Sequence, residues 1–280
     1  MRVDSRKPPP SPAASFAGWS ALIGLGARAR VPGALRAPAY RAFARAVGAE
    51  LGDVELDLGA YATFGDFFAR KLRAGARPIE GNESAVVAPC DGVVAALGVT
   101  AGGTLIQAKG LNYQLEDLVV DREMARRLEG GPYVTIYLSP SDYHRVHAPL
   151  DARLVAYDYV PGELWPVNPR VAARRRGLLA RNERVVIWLD APRVGRVAVV
   201  MVAATGVGNI RLAHAEDSVT WRHAGELRRV ELDERVRRGD ELGAFRLGST
   251  VVLVFEPGAI ELAGTVGSTV RFGEQLGEVA

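Results

Sequence analysis

The chain has 280 residues, 48% of them hydrophobic, and a formal net charge of +3. That length and composition are sufficient to bury a sizeable core. The one cysteine, Cys90, excludes an internal disulfide framework and suits a reducing compartment. The charge is uneven, since residues 1–50 carry eight basic and two acidic side chains while the remainder is acidic overall. Because no basic motif is interleaved with aromatic residues, the composition does not indicate a nucleic-acid partner.

The N-terminal part combines positive charge with apolar surface. Residues 16–27 contain no charged side chain, but twelve residues are too few to span a bilayer. Residues 39–47 set Arg41 and Arg45 one helical turn apart among apolar side chains. Such a segment suits the interface of an anionic membrane, and an amphipathic helix packed on the domain is the alternative. The proline-rich start disfavours a secretory signal peptide. We expect residues 1–73 to be helical, basic and in contact with a membrane interface.

The next elements mark the transition to a β-rich region. Thr63 is a plausible N-cap with Asp66 at the third helical position, which predicts a short helix to about Leu72. Two valine-rich runs over residues 86–99 flank an Asp-Gly step, a pattern typical of a tight turn between strands. Turn chemistry is therefore the ordinary role for the aspartate of that step, Asp91.

The rest of the chain is predicted to be mostly strands. One helix interrupts it, with Asp121 capping its start and Gly130 ending it. The predicted strands cover residues 133–138, 153–160, 184–189, 196–204, 250–255 and 269–272. The predicted fold class is α+β, with N-terminal helices followed by a mostly antiparallel β sandwich or barrel over residues 74–280.

Two of the four histidines, His144 and His147, lie three residues apart between Pro140 and Pro149. This spacing puts them on one face of a helix but on opposite faces of a strand. They could be surface residues, metal ligands or acid–base groups. A metal site needs a third and usually a fourth ligand, and no further cysteine or histidine lies nearby in sequence. Acid–base chemistry gains weight from Asp91 and from Ser249, because Asp, His and Ser are the components of a catalytic triad.

A glycine–serine bond at Gly248–Ser249 opens an apolar, β-branched run. Glycine has no Cβ, which leaves its carbonyl open to attack by the neighbouring hydroxyl. A chain that cuts itself needs this layout. The tripeptide alone is weak support, because Gly-Ser-Thr recurs at residues 267–269, where its ordinary role is a turn or strand start.

Three segments carry a resemblance to the prokaryotic type of phosphatidylserine decarboxylase: Pro89-Cys90-Asp91-Gly92, Asp142-Tyr143-His144-Arg145-Val146-His147 and Leu247-Gly248-Ser249-Thr250. Supporting stretches extend the resemblance in order over residues 63–258. Such a family member cuts itself between Gly248 and Ser249 into chains 1–248 and 249–280. Ser249 then becomes a covalent pyruvoyl cofactor, and no metal is implied. The resemblance assigns Asp91, His147 and Ser249 to the charge relay of self-cleavage, and His144 to proton transfer during turnover.

The implied activity is decarboxylation of phosphatidylserine to phosphatidylethanolamine through a Schiff base to the pyruvoyl group. The implied location is the cytoplasmic side of the cell membrane, where the protein is peripheral and meets anionic lipids. Two other functions compete with this one. A serine hydrolase would use Asp91, His147 and Ser249 on an external ester, but the chain lacks a Gly-x-Ser-x-Gly elbow. A lipoyl-like carrier would need a lysine at the Asp91–Gly92 turn, and none occurs there. Acyl-chain preference and homo-oligomerisation stay open.

Overall fold

The structure is a computed structural model that describes residues 26–108, 111–204, 210–215, 226–246 and 248–280. Its helices are α1 (Gly33–Val47), α2 (Phe64–Phe68), α3 (Leu115–Val119), α4 (Arg122–Leu128), α5 (Pro169–Ala172) and α6 (Leu178–Arg181), with a 3₁₀ turn at Leu58–Ala60. The first eight strands are β1 (Ala85–Val87), β2 (Gly92–Val99), β3 (Thr104–Ala108), β4 (Leu111–Gln114), β5 (Pro132–Leu138), β6 (Arg145–His147), β7 (Ala152–Val160) and β8 (Arg184–Ala191). The other eight are β9 (Gly195–Ala203), β10 (Ile210–Leu212), β11 (Arg228–Val236), β12 (Glu241–Phe245), β13 (Ser249–Phe255), β14 (Ile260–Leu262), β15 (Thr269–Val270) and β16 (Gln275–Val279).

An eight-stranded antiparallel sheet forms the centre of the molecule, in the order β11-β7-β8-β9-β13-β5-β2-β15. Both ends of this order are edges, so the sheet is open rather than a closed barrel over the described residues. Successive side chains of a strand point to opposite faces, and β13 shows this clearly. Val251, Leu253 and Phe255 enter one core cluster, while Val252 and Val254 enter another.

Each face of the central sheet is covered by smaller elements. One face packs against the three-stranded sheets β1-β16-β14 and β10-β12-β6, whose side chains join the first cluster. The other face packs against β3–β4 and the helices α3, α4 and α6. Burial of β13 on both faces explains its continuous apolar run. The predicted α+β class with antiparallel sheets and helices towards the N-terminus is confirmed.

The N-terminal elements form their own aromatic cluster. The ring of Tyr40 on α1 stacks on Phe67 of α2 with centroids 4.5 Å apart. Thr63 caps α2 as predicted, accepting a hydrogen bond from the amide of Asp66 at 3.1 Å. The helix ends at Phe68 rather than near Leu72, because Leu72 pairs as a β-bridge with Val54.

The predicted membrane-interface segment is described only in part. Residues 16–25 lie outside the described residues, whereas residues 39–47 belong to α1 and expose Arg41 and Arg45. Among the described helices, none is long and apolar enough to cross a bilayer. The division of the chain at residue 73 stays a prediction.

The Asp91–Gly92 step lies between two strands as predicted, but those strands do not pair with each other as a hairpin. The two valine-rich runs are β1 and β2, but β1 pairs with β16 while β2 pairs with β5 and β15. The Asp-Gly step therefore carries the chain from one layer to another. Glycine is required at 92, because a Cβ there would lie 2.5 Å from the carbonyl oxygen of Tyr137 on β5.

Candidate active site

Ser249 is the first residue of β13 and is completely buried. It pairs with Leu138 on β5 and with Ala203 on β9, so neighbouring strands fix its backbone on both sides. Gly248 precedes it, and a Cβ built at that glycine meets no described heavy atom within 4 Å. The peptide bond between the two residues thus joins a fixed hydroxyl-bearing residue to a glycine with open space where a side chain would start.

The imidazole of His144 contacts the Ser249 hydroxyl. Its Nδ1 lies 3.3 Å from Ser249 Oγ, and its Nε2 lies 2.9 Å from the carbonyl oxygen of Ser139. A carbonyl can only accept, so Nε2 carries the proton and donates it to Ser139. Nδ1 of the neutral ring is left as the acceptor that faces Oγ. The ring of Phe68 stacks on His144 at 4.1 Å and holds its plane.

The surroundings of His144 keep it uncharged. Burial and, to a smaller extent, the positive charge of Arg70 lower its pKa to about 3, against the opposing effect of the hydrogen bond to Ser139. Among the residues that the structure describes, no carboxylate contributes to favouring its protonated form. The imidazole is therefore a neutral acceptor over the physiological pH range.

His147 has different partners. Its Nδ1 lies 2.8 Å from the carbonyl of Gly239 and its Nε2 lies 3.1 Å from the hydroxyl of Tyr143. The ring of Phe272 stacks on it with centroids 3.7 Å apart. Burial and, to a smaller extent, the charge of Arg145 lower the pKa of His147 to about 4, while the hydrogen bond to Gly239 and the carboxylates of Glu241 and Asp91 oppose that shift. The charged form is thus better supported electrostatically at His147 than at His144.

Asp91 is 7% exposed and is held by two groups. Arg77 donates to both of its carboxylate oxygens, at 3.2 and 2.8 Å, and the amide of Phe272 donates to Oδ1 at 2.8 Å. Phe272 therefore connects Asp91 and His147, since its amide binds the first and its ring covers the second.

The predicted relay from Asp91 through His147 to Ser249 is not the arrangement of hydrogen bonds in this structure. The imidazole in contact with Ser249 is that of His144. His144 lies just before β6 and His147 is the last residue of that strand, and their imidazoles have separate partners. The catalytic roles of the three residues stay predictions.

The competing serine has quite different surroundings. Ser268 lies on a turn, and its hydroxyl donates to the carbonyl of Thr265 at 2.7 Å. Gly267 before it is exposed and has a positive φ of 94°. A histidine contact and full burial distinguish Ser249 from this second Gly-Ser-Thr.

Comparison with known proteins agrees with the resemblance. The sequence pattern of the phosphatidylserine decarboxylase family matches residues 64–278 of the chain. The chain belongs to the phosphatidylserine decarboxylase family. It is accordingly an enzyme, a lyase of the decarboxylase type.

Three curated relatives bear the name phosphatidylserine decarboxylase proenzyme. The protein from Anaeromyxobacter sp. (strain K) is 45% identical over 267 residues, covering 93% of this chain and 94% of the relative. The protein from Myxococcus xanthus (strain DK1622) is 40% identical, with 93% of each chain covered. The protein from Acidovorax ebreus (strain TPSY) is 42% identical, with 87% of each chain covered.

Several residues of the site were not predicted from sequence. Phe68 and Phe272 cover the two histidines, and Tyr143 and Arg77 contact His147 and Asp91. A sequence signal existed for Phe68, Arg77 and Tyr143, which lie within or beside the segments that resemble this decarboxylase family. Phe272 lies outside those segments, and only the tertiary fold brings it to the site.

Proposed function

We propose that this chain is the precursor of a phosphatidylserine decarboxylase that cuts itself between Gly248 and Ser249. Membership of the family supports decarboxylation of phosphatidylserine, and the word proenzyme in the relatives' names supports processing. The observation that carries the proposal is the contact between a buried Ser249 Oγ and a neutral imidazole, next to an open glycine. The sequence around Ser249 lacks the Gly-x-Ser-x-Gly elbow of a serine hydrolase, which disfavours action on an external ester.

Self-cleavage begins when Ser249 Oγ loses its proton and attacks the carbonyl carbon of Gly248. The new C–O bond replaces the peptide C–N bond, which converts the amide into an ester. The two groups are neighbours in one chain, so no encounter entropy is lost. Removal of the Cα proton at residue 249 then expels the Gly248 carboxylate and leaves dehydroalanine. Tautomerisation and hydrolysis release ammonia and leave a pyruvoyl group at the start of the 249–280 chain.

The base for this cleavage must carry a positive charge in the transition state, and electrostatics favour His147 for it. The carboxylates of Glu241 and Asp91 stabilise a protonated His147 against the opposing charge of Arg145. At His144, the charge of Arg70 disfavours protonation, and no carboxylate among the described residues offsets it. We therefore keep Asp91 and His147 as the cleavage pair. The assignment requires that His147 Nε2 exchange the Tyr143 hydroxyl for Ser249 Oγ. His144 is the rival, because it already contacts Oγ.

The second stage is decarboxylation at the same position. The pyruvoyl group supplies a ketone for the substrate amine and accepts the electron pair released with CO₂. His144 is our assignment for proton transfer to the substrate carbon, because its unprotonated Nδ1 faces the residue 249 side chain. Strands β5 and β9 pair with β13 on both sides, which retains the short chain after the cut.

We further propose that the enzyme is peripheral at the cytoplasmic face of the cell membrane. Arg41 and Arg45 are exposed on α1, and two apolar side chains of the same N-terminal part, Leu35 and Leu56, are 58% and 51% exposed. Arginines beside exposed leucines suit an anionic lipid surface. Such a surface also carries the lipid substrate.

Matched substitutions test the division of roles. Ser249→Ala is expected to stay uncut and inactive, while Ser268→Ala is processed normally. His147→Ala is expected to accumulate uncut chain, and His144→Ala to be cut but inactive. Denaturing gels report cleavage, and released CO₂ reports activity. If His144→Ala stays uncut and His147→Ala is processed, the roles of the two histidines are exchanged.

A further inference from the structure

Arg70 is a buried cation with unused hydrogen-bond donors. It follows α2 and is 3% exposed, with its guanidinium carbon 5.5 Å from the ring centre of Phe67. Its Nη2 lies 3.2 Å from the carbonyl oxygen of Ser141 and 3.4 Å from that of Asp142. Its Nε and Nη1 are buried and have no hydrogen-bond partner in the described part of the chain. A buried donor without a partner costs free energy, so two such donors on one cation indicate a missing anion.

Within the described ranges, four carboxylates line the same cavity as Arg70, and each has another partner: Glu50 pairs with Arg271 and Asp53 with Arg77. Asp91 is held by Arg77 and by a backbone amide, and Asp142 accepts a 2.6 Å hydrogen bond from the amide of Ser139. Asp91 and Asp142 act on Arg70 only as nearby charges. Burial lowers the pKa of Arg70, and these two charges oppose that shift. An arginine stays charged even so. Arg70 also lines a cavity of about 180 Å³, so the protein leaves space beside this cation.

Arg70 lies next to the proposed reaction centre. Phe68, two residues earlier, stacks on His144, which in turn contacts Ser249 Oγ. The charge of Arg70 is close enough to His144 to contribute to the lowering of its pKa. Arg70 is therefore a charged neighbour of the histidine that contacts residue 249, the position at which the proposed reaction would hold a head group.

We propose that Arg70 binds the phosphodiester of the lipid head group, an inference that rests on the proposed function. A serine head group offers two anions, its carboxylate and its phosphodiester. The carboxylate leaves as neutral CO₂, so a cation bound to it would stabilise the starting state more than the transition state. The phosphodiester keeps its charge throughout, and a guanidinium suits its oxygens. Arg70 is thus a binding residue that selects phospholipid over free serine.

Inhibition kinetics on the mature enzyme test this site. Glycerophosphocholine has a phosphodiester but neither a primary amine nor a carboxylate, and N-acetylserine has a carboxylate but no phosphate. Glycerophosphocholine is expected to compete with short-chain phosphatidylserine in the wild type. Arg70→Lys and Arg70→Gln should weaken that inhibition at least tenfold, and should leave inhibition by N-acetylserine unchanged. Arg271→Gln is the control, because Arg271 lines the same cavity from an exposed position. Weakened inhibition by N-acetylserine, or unchanged inhibition by glycerophosphocholine, would overturn the proposal.

A crystal structure of the wild-type enzyme with glycerophosphocholine removes any dependence on variants that fail to fold. A phosphate oxygen is expected within hydrogen-bond distance of Nε or Nη1 of Arg70. A phosphate bound elsewhere, with Arg70 unchanged, would refute the assignment. Wild-type decarboxylation is measured in the same preparations. Its absence would count against the proposed function, whereas activity without a role for Arg70 would count only against this inference.

Discussion

Lowering the pH from 8 to 5 should destabilise the uncut precursor through its two buried histidines. In the folded chain, burial lowers the pKa values of His144 and His147 to about 3 and about 4, against an unfolded value of about 6.5. Between these values the unfolded chain binds more protons than the folded chain, so stability falls as the pH falls. At pH 5 each imidazole should lower the free energy of unfolding by about 2 kcal/mol relative to pH 8, since one pKa unit corresponds to about 1.4 kcal/mol.

Urea unfolding of the Ser249→Ala chain, followed by tryptophan fluorescence at pH 8 and pH 5, measures this loss. The histidine share is isolated by adding His144→Gln or His147→Gln in that background, because carboxylates also titrate. Each substitution is expected to reduce the pH-dependent loss by about 2 kcal/mol. A loss of equal size with and without the histidines would show that they are not buried and neutral. Neither His144 nor His147 could then be described as a buried, neutral base.

Three further perturbations follow from the contacts described above. Phe272→Leu removes the ring that stacks on His147 and should slow cleavage several-fold in a gel time course, whereas an unchanged rate would exclude a positioning role. Arg41→Gln with Arg45→Gln should weaken binding to anionic vesicles in sedimentation assays by about 2 kcal/mol at low salt, and equal binding would refute a membrane role for α1. Gly92→Ala should destabilise the chain by about 1–3 kcal/mol in urea, because the added methyl group meets a carbonyl of β5, and wild-type stability would contradict that contact.

Several helices and strands could be predicted because neighbouring residues specify them, through helix caps and apolar runs. The α4 helix begins at its predicted cap, where Asp121 accepts from the amide of Met124 at 3.0 Å. Strand β13 is an uninterrupted apolar run because both of its faces are buried. The sequence does not predict the edge strand β11, because its many charged residues face solvent and resemble a polar loop. Pairing of β1 with β16 joins residues far apart in sequence, and no local signal indicates it.

The candidate site was predicted in its composition but not in its geometry. Asp91, His144, His147 and Ser249 all lie in or beside one buried region, as their shared motifs indicate. Which histidine faces Ser249 depends on whether residues 144–147 form a helix or a strand, and two flanking prolines did not decide that. The ring of Phe272 reaches His147 only because β15 pairs with β2, a long-range contact that carries no sequence motif.

Denaturing mass spectrometry of purified, active protein decides whether the chain cuts itself at Gly248–Ser249. We expect two species, residues 1–248 and residues 249–280, with a pyruvoyl group in place of the Ser249 amino terminus. A single intact chain of 30.0 kDa in active protein would contradict this expectation, and so would a short chain that begins with an unmodified serine.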